Sequence, residues 1–308
     1  VMTDFSIIIP CYNAAQTFQA TLSSIQAQNC EDGEVICVDD GSTDATLDIL
    51  HAASDQDNRI KVHHNIGKGP SSARDCGAFL VSRGKSIAFC DADDIWGPEK
   101  LSQLKDCFAD PKVDAAFGKI AFFKDDPTLA MTFSTVPPAP LSIPVLLGEN
   151  PVCTMSNIAV RRSAFMQTGG FDETMVHNED LEWLIRLVGT GAHVVGIDAC
   201  QTWYRTSHYG LSADLRRMQK GRKCAIRTAA KYGHAPSRHS DAIFLRYLSR
   251  RALRLGQGRV LPLIFALQGV LRSPFGFFSA PWRGLATFAG ALLAPVLPAR
   301  LSQHLFSH

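Results

Sequence analysis

Phe89-Cys90-Asp91-Ala92-Asp93-Asp94-Ile95-Trp96 is the stretch on which the fold turns. The run leading into it, Ser86-Ile87-Ala88-Phe89-Cys90, reads as a buried strand. It ends in three carboxylates within four residues. Like charges crowded at a strand end repel unless something positive joins them. A divalent cation held by hard oxygen ligands meets that need, and a solvated acidic turn is the alternative.

The same design recurs upstream. Phe5-Ser6-Ile7-Ile8-Ile9 is a strand buried on both faces, expected to stop at Pro10 and to be followed by the loop Cys11-Tyr12-Asn13. Asn13 is placed to cap a helix with Phe18, Leu22 and Ile25 on one face. Val35-Ile36-Cys37-Val38 is a second buried strand, ending in Asp39-Asp40-Gly41-Ser42-Thr43-Asp44. Ser42 or Thr43 can cap the next helix, which carries Leu47 and Leu50. Ile60-Lys61-Val62-His63 is a weaker strand. Asn65–Pro70 is a flexible loop, and Ser71-Ser72 opens a helix through Arg74, Gly77, Leu80 and Val81. Alternating strands and helices over the first hundred residues argue for an α/β fold with a parallel sheet. Ligands of such sheets bind beyond the carboxyl ends of the strands. Tyr12, Asp40 and Asp91–Asp94 would all emerge on that edge.

Beyond residue 110, Ala115–Phe117, Ile120–Phe123 and Asn157–Val160 read as strands, and Arg161–Phe165 begins a short helix ended by Gly169-Gly170. Pro127, Pro137, Pro138, Pro140 and Pro144 predict a mobile connection over the site. Asn178 is expected to cap a helix with Leu181, Leu184, Ile185 and Val188 on one face, which puts Glu179 and Asp180 in its first turn. Complementing the helix dipole is the plain explanation for acids there. His193–Ile197 and Gln201–Arg205 read as two more strands.

The 308 residues, 46% of them apolar, suffice for one large or two modest domains. A net charge of +2 conceals a division. Residues 1–210 hold 15 Lys and Arg against 27 Asp and Glu, whereas 211–308 hold 16 against 2. The basic part calls for an anionic partner. From residue 260 it is also rich in Leu, Phe and Trp, but in broken runs, none long enough for a membrane span. Basic helices beside apolar ones fit a segment lying on a membrane surface. A helical subdomain that covers its own apolar face, or packs on a second subunit, is the alternative. Nucleic acid is not expected, since no binding motif is present. Nine cysteines, an odd number without a Cys-x-x-Cys pair, read as free thiols in a reducing compartment. No basic segment followed by an apolar run opens the sequence, so no secretory leader is expected.

Five motifs occur in order: Ser6–Asn13, Val38–Asp44, Ala73-Arg74-Asp75-Cys76-Gly77, Asp91–Asp94 and Glu179-Asp180-Leu181-Glu182. Together, over residues 4–210, they resemble glycosyltransferase family 2, the inverting nucleotide-sugar transferases with the GT-A fold. The resemblance implies a Rossmann-like mixed sheet in residues 1–210 and a mostly helical extension in 211–308. It implies that Pro10, Tyr12 and Asn13 line the site of the donor's base, that Asp40 hydrogen-bonds the base, and that Arg74 helps to hold the nucleotide. Asp91 and Ala92 would meet the ribose side. Asp93, with Asp94, would ligate Mg²⁺ or Mn²⁺ bridging the diphosphate, with His208 nearby. Asp180 would be the general base, with Glu179 as its neighbour or an acceptor contact, and Trp96 either lining the acceptor site or in the core. Adjacent helical residues point about 100° apart, so Glu179 and Asp180 cannot both face the donor.

That chemistry needs these residue types. A leaving nucleoside diphosphate requires charge stabilisation, and a hydroxyl acceptor requires a base. The implied partners are a nucleotide sugar, best UDP-linked, a glycan or lipid-linked acceptor of cell-surface polysaccharide synthesis, and a membrane surface. The implied location is cytoplasmic, on the inner face of the cell membrane. Asp75 departs from the family, which often has Asn there. A sugar-phosphate nucleotidyltransferase would place a Gly-rich, Arg-bearing loop where Pro10–Asn13 stand, and a dinucleotide-dependent dehydrogenase would place Gly-x-Gly-x-x-Gly there. A non-catalytic sugar-nucleotide-binding module would have lost Asp93 or Asp180, and both are present.

Overall fold

The computed structural model describes residues 3–29, 32–206, 214–256 and 258–296. The chain forms two compact units, one of Val1–Leu141 with Pro151–Thr206, the other of Ser142–Asn150 with Ser207–His308.

The first unit is built on β1 (Phe5–Cys11), α1 (Phe18–Gln26), β2 (Gly33–Asp39), α2 (Thr46–Gln56), β3 (Ile60–His64), α3 (Pro70–Asp75) and β4 (Ser86–Phe89). These are followed by β5 (Ile95–Trp96), α4 (Lys100–Cys107), β6 (Ala115–Phe123) and β7 (Thr132–Phe133). One sheet runs β3-β2-β1-β4, continues through β8 (Ile158–Arg161), β6 and β9 (Val194–Arg205), and ends at β5, with β7 beside β6. β3, β2, β1 and β4 are parallel. β8 is antiparallel to both β4 and β6, which makes the sheet mixed. β1, β2 and β4 are buried on both faces, as the sequence predicts, while the edge strand β3 is only partly buried and carries Lys61, His63 and His64.

Several local expectations change. β1 continues through Pro10, because its ladder with β4 ends at Ile8 and no bond is lost there. The two strands expected over 115–123 are one, as are the two expected over 193–205; a register irregularity around Lys119 interrupts their alternation. Helix α3 passes directly into a π-helical turn, Cys76–Val81. The proline-rich connection contains β7 and, in the second unit, the short helix α5 (Ile143–Leu146). Eight cysteines among the described residues are free thiols; Cys11, Cys37, Cys76 and Cys90 are buried, and Cys153 is exposed.

An aromatic cluster fixes the far side of the sheet's edge. Phe89, at the end of β4, meets Phe165 of α6 (Arg162–Thr168), Phe171, and Trp183 of α7 (Glu179–Gly189), with ring centroids 5.6–6.3 Å away. Trp183 is fully buried and its indole N–H donates to Thr168 Oγ1 at 3.0 Å. Burying rings of this size contributes roughly 1.5–3 kcal/mol each. The packing anchors the start of α7 beside the strand end that carries Asp91.

In the second unit, α9 (Arg238–Leu255) packs against α10 (Leu261–Arg272), α11 (Pro274–Phe277) and α12 (Pro281–Leu293). It opens on a reciprocal Ser237–Ser240 capping box and closes on Gly256 in the left-handed region. With α8 (Leu215–Lys231) it surrounds Leu215, Met218, Leu248, Ala252 and Phe265; a second cluster joins Ala242, Ala266, Phe277 and Ala291. Among the described residues, no helix is long and apolar enough to cross a membrane.

Candidate active site

The ends of β1 and β2 are tied together by Asn13. Its backbone is left-handed (φ 48°), its N–H donates to Ser42 Oγ at 3.0 Å, and its Oδ1 accepts the Thr43 N–H at 2.8 Å. Asn13 therefore does not cap α1, which Thr17 precedes, and Ser42 and Thr43 do not cap α2, which Ala45 precedes. Asp44 takes the capping task through the Thr46 N–H, at 3.0 Å. Tyr12 is left exposed beside this junction.

Asp40 is buried, and the loop Asn65–Gly69 closes on it. Its Oδ1 accepts the Asn65 amide at 2.7 Å, and its Oδ2 the Gly69 N–H at 2.9 Å. The Lys68 ammonium donates to the Asp40 carbonyl and lies 4.9 Å from the centre of the Tyr12 ring. Sequence reading passed over Asn65 and Lys68; the spaced glycines of Gly67-Lys68-Gly69 were the available signal.

Arg74 is buried at the centre. Nη2 donates to Asp91 Oδ1 at 2.7 Å, Nη1 to Glu179 Oε1 at 3.4 Å, and the guanidinium carbon lies 5.8 Å from the Phe171 ring centre. Its Nε is buried and, among the described residues, meets no hydrogen-bond acceptor. Asp91 Oδ2 accepts the Thr154 hydroxyl at 3.2 Å, and its N–H donates to Ser156 Oγ at 2.9 Å. Ala92, in the turn, accepts the Thr17 hydroxyl on its carbonyl at 2.9 Å.

The three carboxylates of this strand end have different surroundings. Asp91 faces Arg74. Asp93 is half-buried, and burial, then the charge of Asp91, pushes it up to about 6. Asp94 is 0% exposed; Oδ1 accepts the Arg205 N–H at 2.9 Å, and Oδ2 has no hydrogen-bond partner among the described residues. Burial and then Asp93 push Asp94 well above the usual carboxylate range. Two carboxylates held up in this way, with a buried orphan oxygen, fit a cation that would relieve their repulsion. Among the described residues, no three His, Cys, Asp or Glu side chains converge to hold a metal alone. A cation here would therefore take its remaining oxygens from a ligand, as Mg²⁺ does when it joins carboxylates to phosphates.

Asp180 lies in the first turn of α7, behind Asn178, whose backbone is left-handed (φ 59°) and whose side chain makes no capping bond. Burial, then the neighbouring charge of Glu179, raises Asp180 to about 7, while Arg74 pulls the other way. Asp75 reaches the loop before α7: the Phe171 N–H is shared between its oxygens at 3.0 and 3.1 Å. Arg186 holds the same loop from the other side, donating to the carbonyls of Thr168 and Gly170 at 2.7 Å.

The structure thus gathers Asp91, Arg74, Glu179 and Asp180 in one cluster and sets Tyr12 with Asp40, and Asp93 with Asp94, along the same sheet edge. Pro10 lies within β1, directly before that edge. Trp96 does not line the acceptor site; it is a core residue, 2% exposed, whose indole N–H donates to Ser156 O at 2.9 Å. His208 lies outside the described residues.

Residues 6–169 match the family described as Glycosyl transferase family 2. The succinoglycan biosynthesis protein ExoU of Rhizobium meliloti is 30% identical over 276 residues, covering 82% of this chain and 79% of that protein. An Escherichia coli UDP-Glc:alpha-D-GlcNAc-diphosphoundecaprenol beta-1,3-glucosyltransferase is 28% identical over 211 residues, covering 68% of this chain and 80% of that one. Among solved structures, S. aureus TarS residues 1–349 with UDP-GlcNAc superposes with a TM-score of 0.64 at 18% identity, covering 99% of this chain and 89% of that chain. The Pyrobaculum calidifontis mannosyltransferase PcManGT, in complex with GDP-Man and Mn2+, gives 0.60 at 17% identity, covering 100% and 85%. The chain belongs to glycosyltransferase family 2, and is a glycosyltransferase with the GT-A fold and additional C-terminal helices.

Proposed function

We propose that this enzyme moves a sugar, with inversion, from a UDP-sugar to a hydroxyl of a glycan or lipid-linked acceptor in cell-surface polysaccharide synthesis. The observation that carries the reading is the Arg74 bridge between Asp91 and Glu179, which brings the strand-end carboxylates beside Asp180. Tyr12, between Pro10 and Asn13 in the chain, offers the base a ring face, Asp40 offers an acceptor for a ring N–H, and Ala92 is proposed on the ribose side. The curated relatives support a UDP donor and a lipid-linked acceptor through the E. coli enzyme named above.

Asp180 takes the acceptor's proton as the hydroxyl oxygen attacks the anomeric carbon; a base near pH 7 suits that task. Arg74 helps to orient the donor and holds the Asp91 carboxylate in place. Glu179, which burial raises while Arg74 pulls the other way, stands beside Asp180 and borders the acceptor side. Mg²⁺ or Mn²⁺ would be held by Asp93, with Asp94 behind it, and His208 is proposed near the same diphosphate. When bound, the ion would neutralise charge on the departing diphosphate.

A membrane surface is the proposed second partner, reached from the cytoplasmic side through the basic helical region after residue 210. Leu271, Phe275 and Trp282, at the ends of α10, α11 and α12, support this: they are 84, 87 and 85% exposed.

The testing experiment is a panel of nucleotide sugars, with Mn²⁺ or with chelator, read by release of the nucleoside diphosphate. Metal-dependent release from a UDP-sugar supports the reading. Release from none of them, in the presence of a polyprenyl-linked glycan acceptor, overturns it.

A further inference from the structure

One face of α9 carries Arg246, Arg250 and Arg254 at four-residue spacing, so the three side chains lie along one edge of the helix. Arg283 of α12 joins them, and its positive charge acts on all three. Glu149, in the segment Ser142–Asn150 of the same unit, meets this edge with one carboxylate. Its Oε1 is 2.9 Å from Arg283 Nη1 and its Oε2 3.5 Å from Arg246 Nη2. Arg246 is further engaged by Phe277 O at 2.9 Å and Ser279 Oγ at 3.1 Å. The other carboxylate on α9, Asp241, is taken by Arg222 at 3.0 Å.

Among the described residues, Glu149 meets two of these four guanidiniums, and no ion pair engages Arg250 or Arg254. The charges acting most strongly on Arg254 are those of Arg250 and Arg251, and its Nε is buried without a hydrogen-bond partner among the described residues. Burial and these like charges pull the Arg254 guanidinium down to about 10. The cluster is open to solvent at its Glu149 end, where Glu149 is 41% and Arg283 33% exposed.

Guanidiniums arrayed in this way match a multiply charged oxyanion, whose oxygens accept paired N–H bonds. The same unit shows what would bear the anion: α12 sets Arg283 inward while Trp282, Leu285 and Leu292 stand exposed. We propose that the arginine edge of α9, with Arg283, binds a lipid-borne phosphate or diphosphate at a site separate from the donor site, and that Glu149 is the internal counter-ion which that group displaces. This rests on the membrane reading above, and not on the donor assignment.

The test is co-sedimentation of the full chain with vesicles at matched salt. One set is phosphatidylcholine alone, one contains phosphatidylglycerol, and one contains a polyprenyl diphosphate. The wild type should prefer at least one of the two anionic sets over phosphatidylcholine by about tenfold, a size set by a single charge-assisted hydrogen bond or two. R250Q/R254Q should abolish that preference, and E149Q, which frees Arg246 and Arg283, should strengthen it. R216Q/R217Q removes two charges from α8 and should change it less than about twofold. The vesicle set that shows the arginine-dependent preference identifies the source of the phosphate. Binding without such dependence, or an equal loss from both double variants, overturns the phosphate site. Binding to none of the vesicles overturns the membrane reading itself.

Discussion

Arg74 donates to Asp91 at 2.7 Å across seventeen residues of sequence, and the same guanidinium reaches Glu179 at 3.4 Å across 105. One buried cation thereby joins the last three of the five motifs. Breaking a buried pair by removing one partner costs about 3–5 kcal/mol, because the other charge is left unpaired. R74A should therefore lower the unfolding free energy by about that amount, measured in urea, and weaken donor binding. R74K keeps the charge but not the fork, and should recover stability better than transfer.

Asp180 sets a pH limb. As the base it must be ionised, so kcat/KM should climb with pH through about 7 and level off above it. E179Q removes the charge that helps to raise Asp180, so the limb should move to lower pH. D180N should keep donor binding in calorimetry and lose transfer by about 10²–10⁴-fold. Full transfer by D180N would end the assignment.

Asp75 predicts a stability gain. Burial raises its folded pKa to about 7 from the ordinary 3.8. Between those values the folded state keeps a proton that the unfolded state has lost, so stability falls as pH rises through that window. D75N stays neutral and keeps an acceptor for the Phe171 N–H. Its Tm should exceed the wild type's most clearly above pH 7, and the gain should shrink toward pH 4. Each kcal/mol released should appear as about 2–4 °C.

Metal dependence should separate Asp93 from Asp94. Asp94 is sealed beneath the turn and accepts the Arg205 N–H, so it acts on an ion mainly by supporting its neighbour. D94N should raise the half-saturating Mn²⁺ concentration about 10–100-fold, the usual cost of losing a supporting carboxylate, and D93N should raise it further. Equal effects would place both in direct contact with the ion.

The parallel half of the sheet was legible because its strands are continuous apolar runs punctuated by acids and glycines. The helix of Asp180 was legible from its apolar face. What escaped the reading has local causes. Asn13 holds a left-handed backbone and ties β1 to β2 where the sequence reads a cap, and Asn178 does stand at the N-cap of α7, but left-handed and without a side-chain capping bond. Asn65 and Lys68 act through a loop, where no periodicity marks them. Trp96 carries both an apolar ring and a polar N–H, and only burial decides which of the two matters. The Phe89–Trp183 packing that sets Asp180 beside Asp91 joins residues 94 apart, and no local pattern encodes such a pairing.

The short segment Ser142–Asn150 has a wider bearing. It leaves the first unit between Leu141 and Pro151, yet Arg222 bonds the Leu147 carbonyl and Glu149 serves two arginines of the helices. A chain ending at Thr206 would retain Tyr12, Asp40, Arg74, Asp91, Asp93 and Asp180, though not His208, and would strand this segment without the groups that complete it. The helices are thus no detachable appendage. A gene cut at one point can neither discard nor exchange them cleanly, so inheritance must treat the two units as one piece.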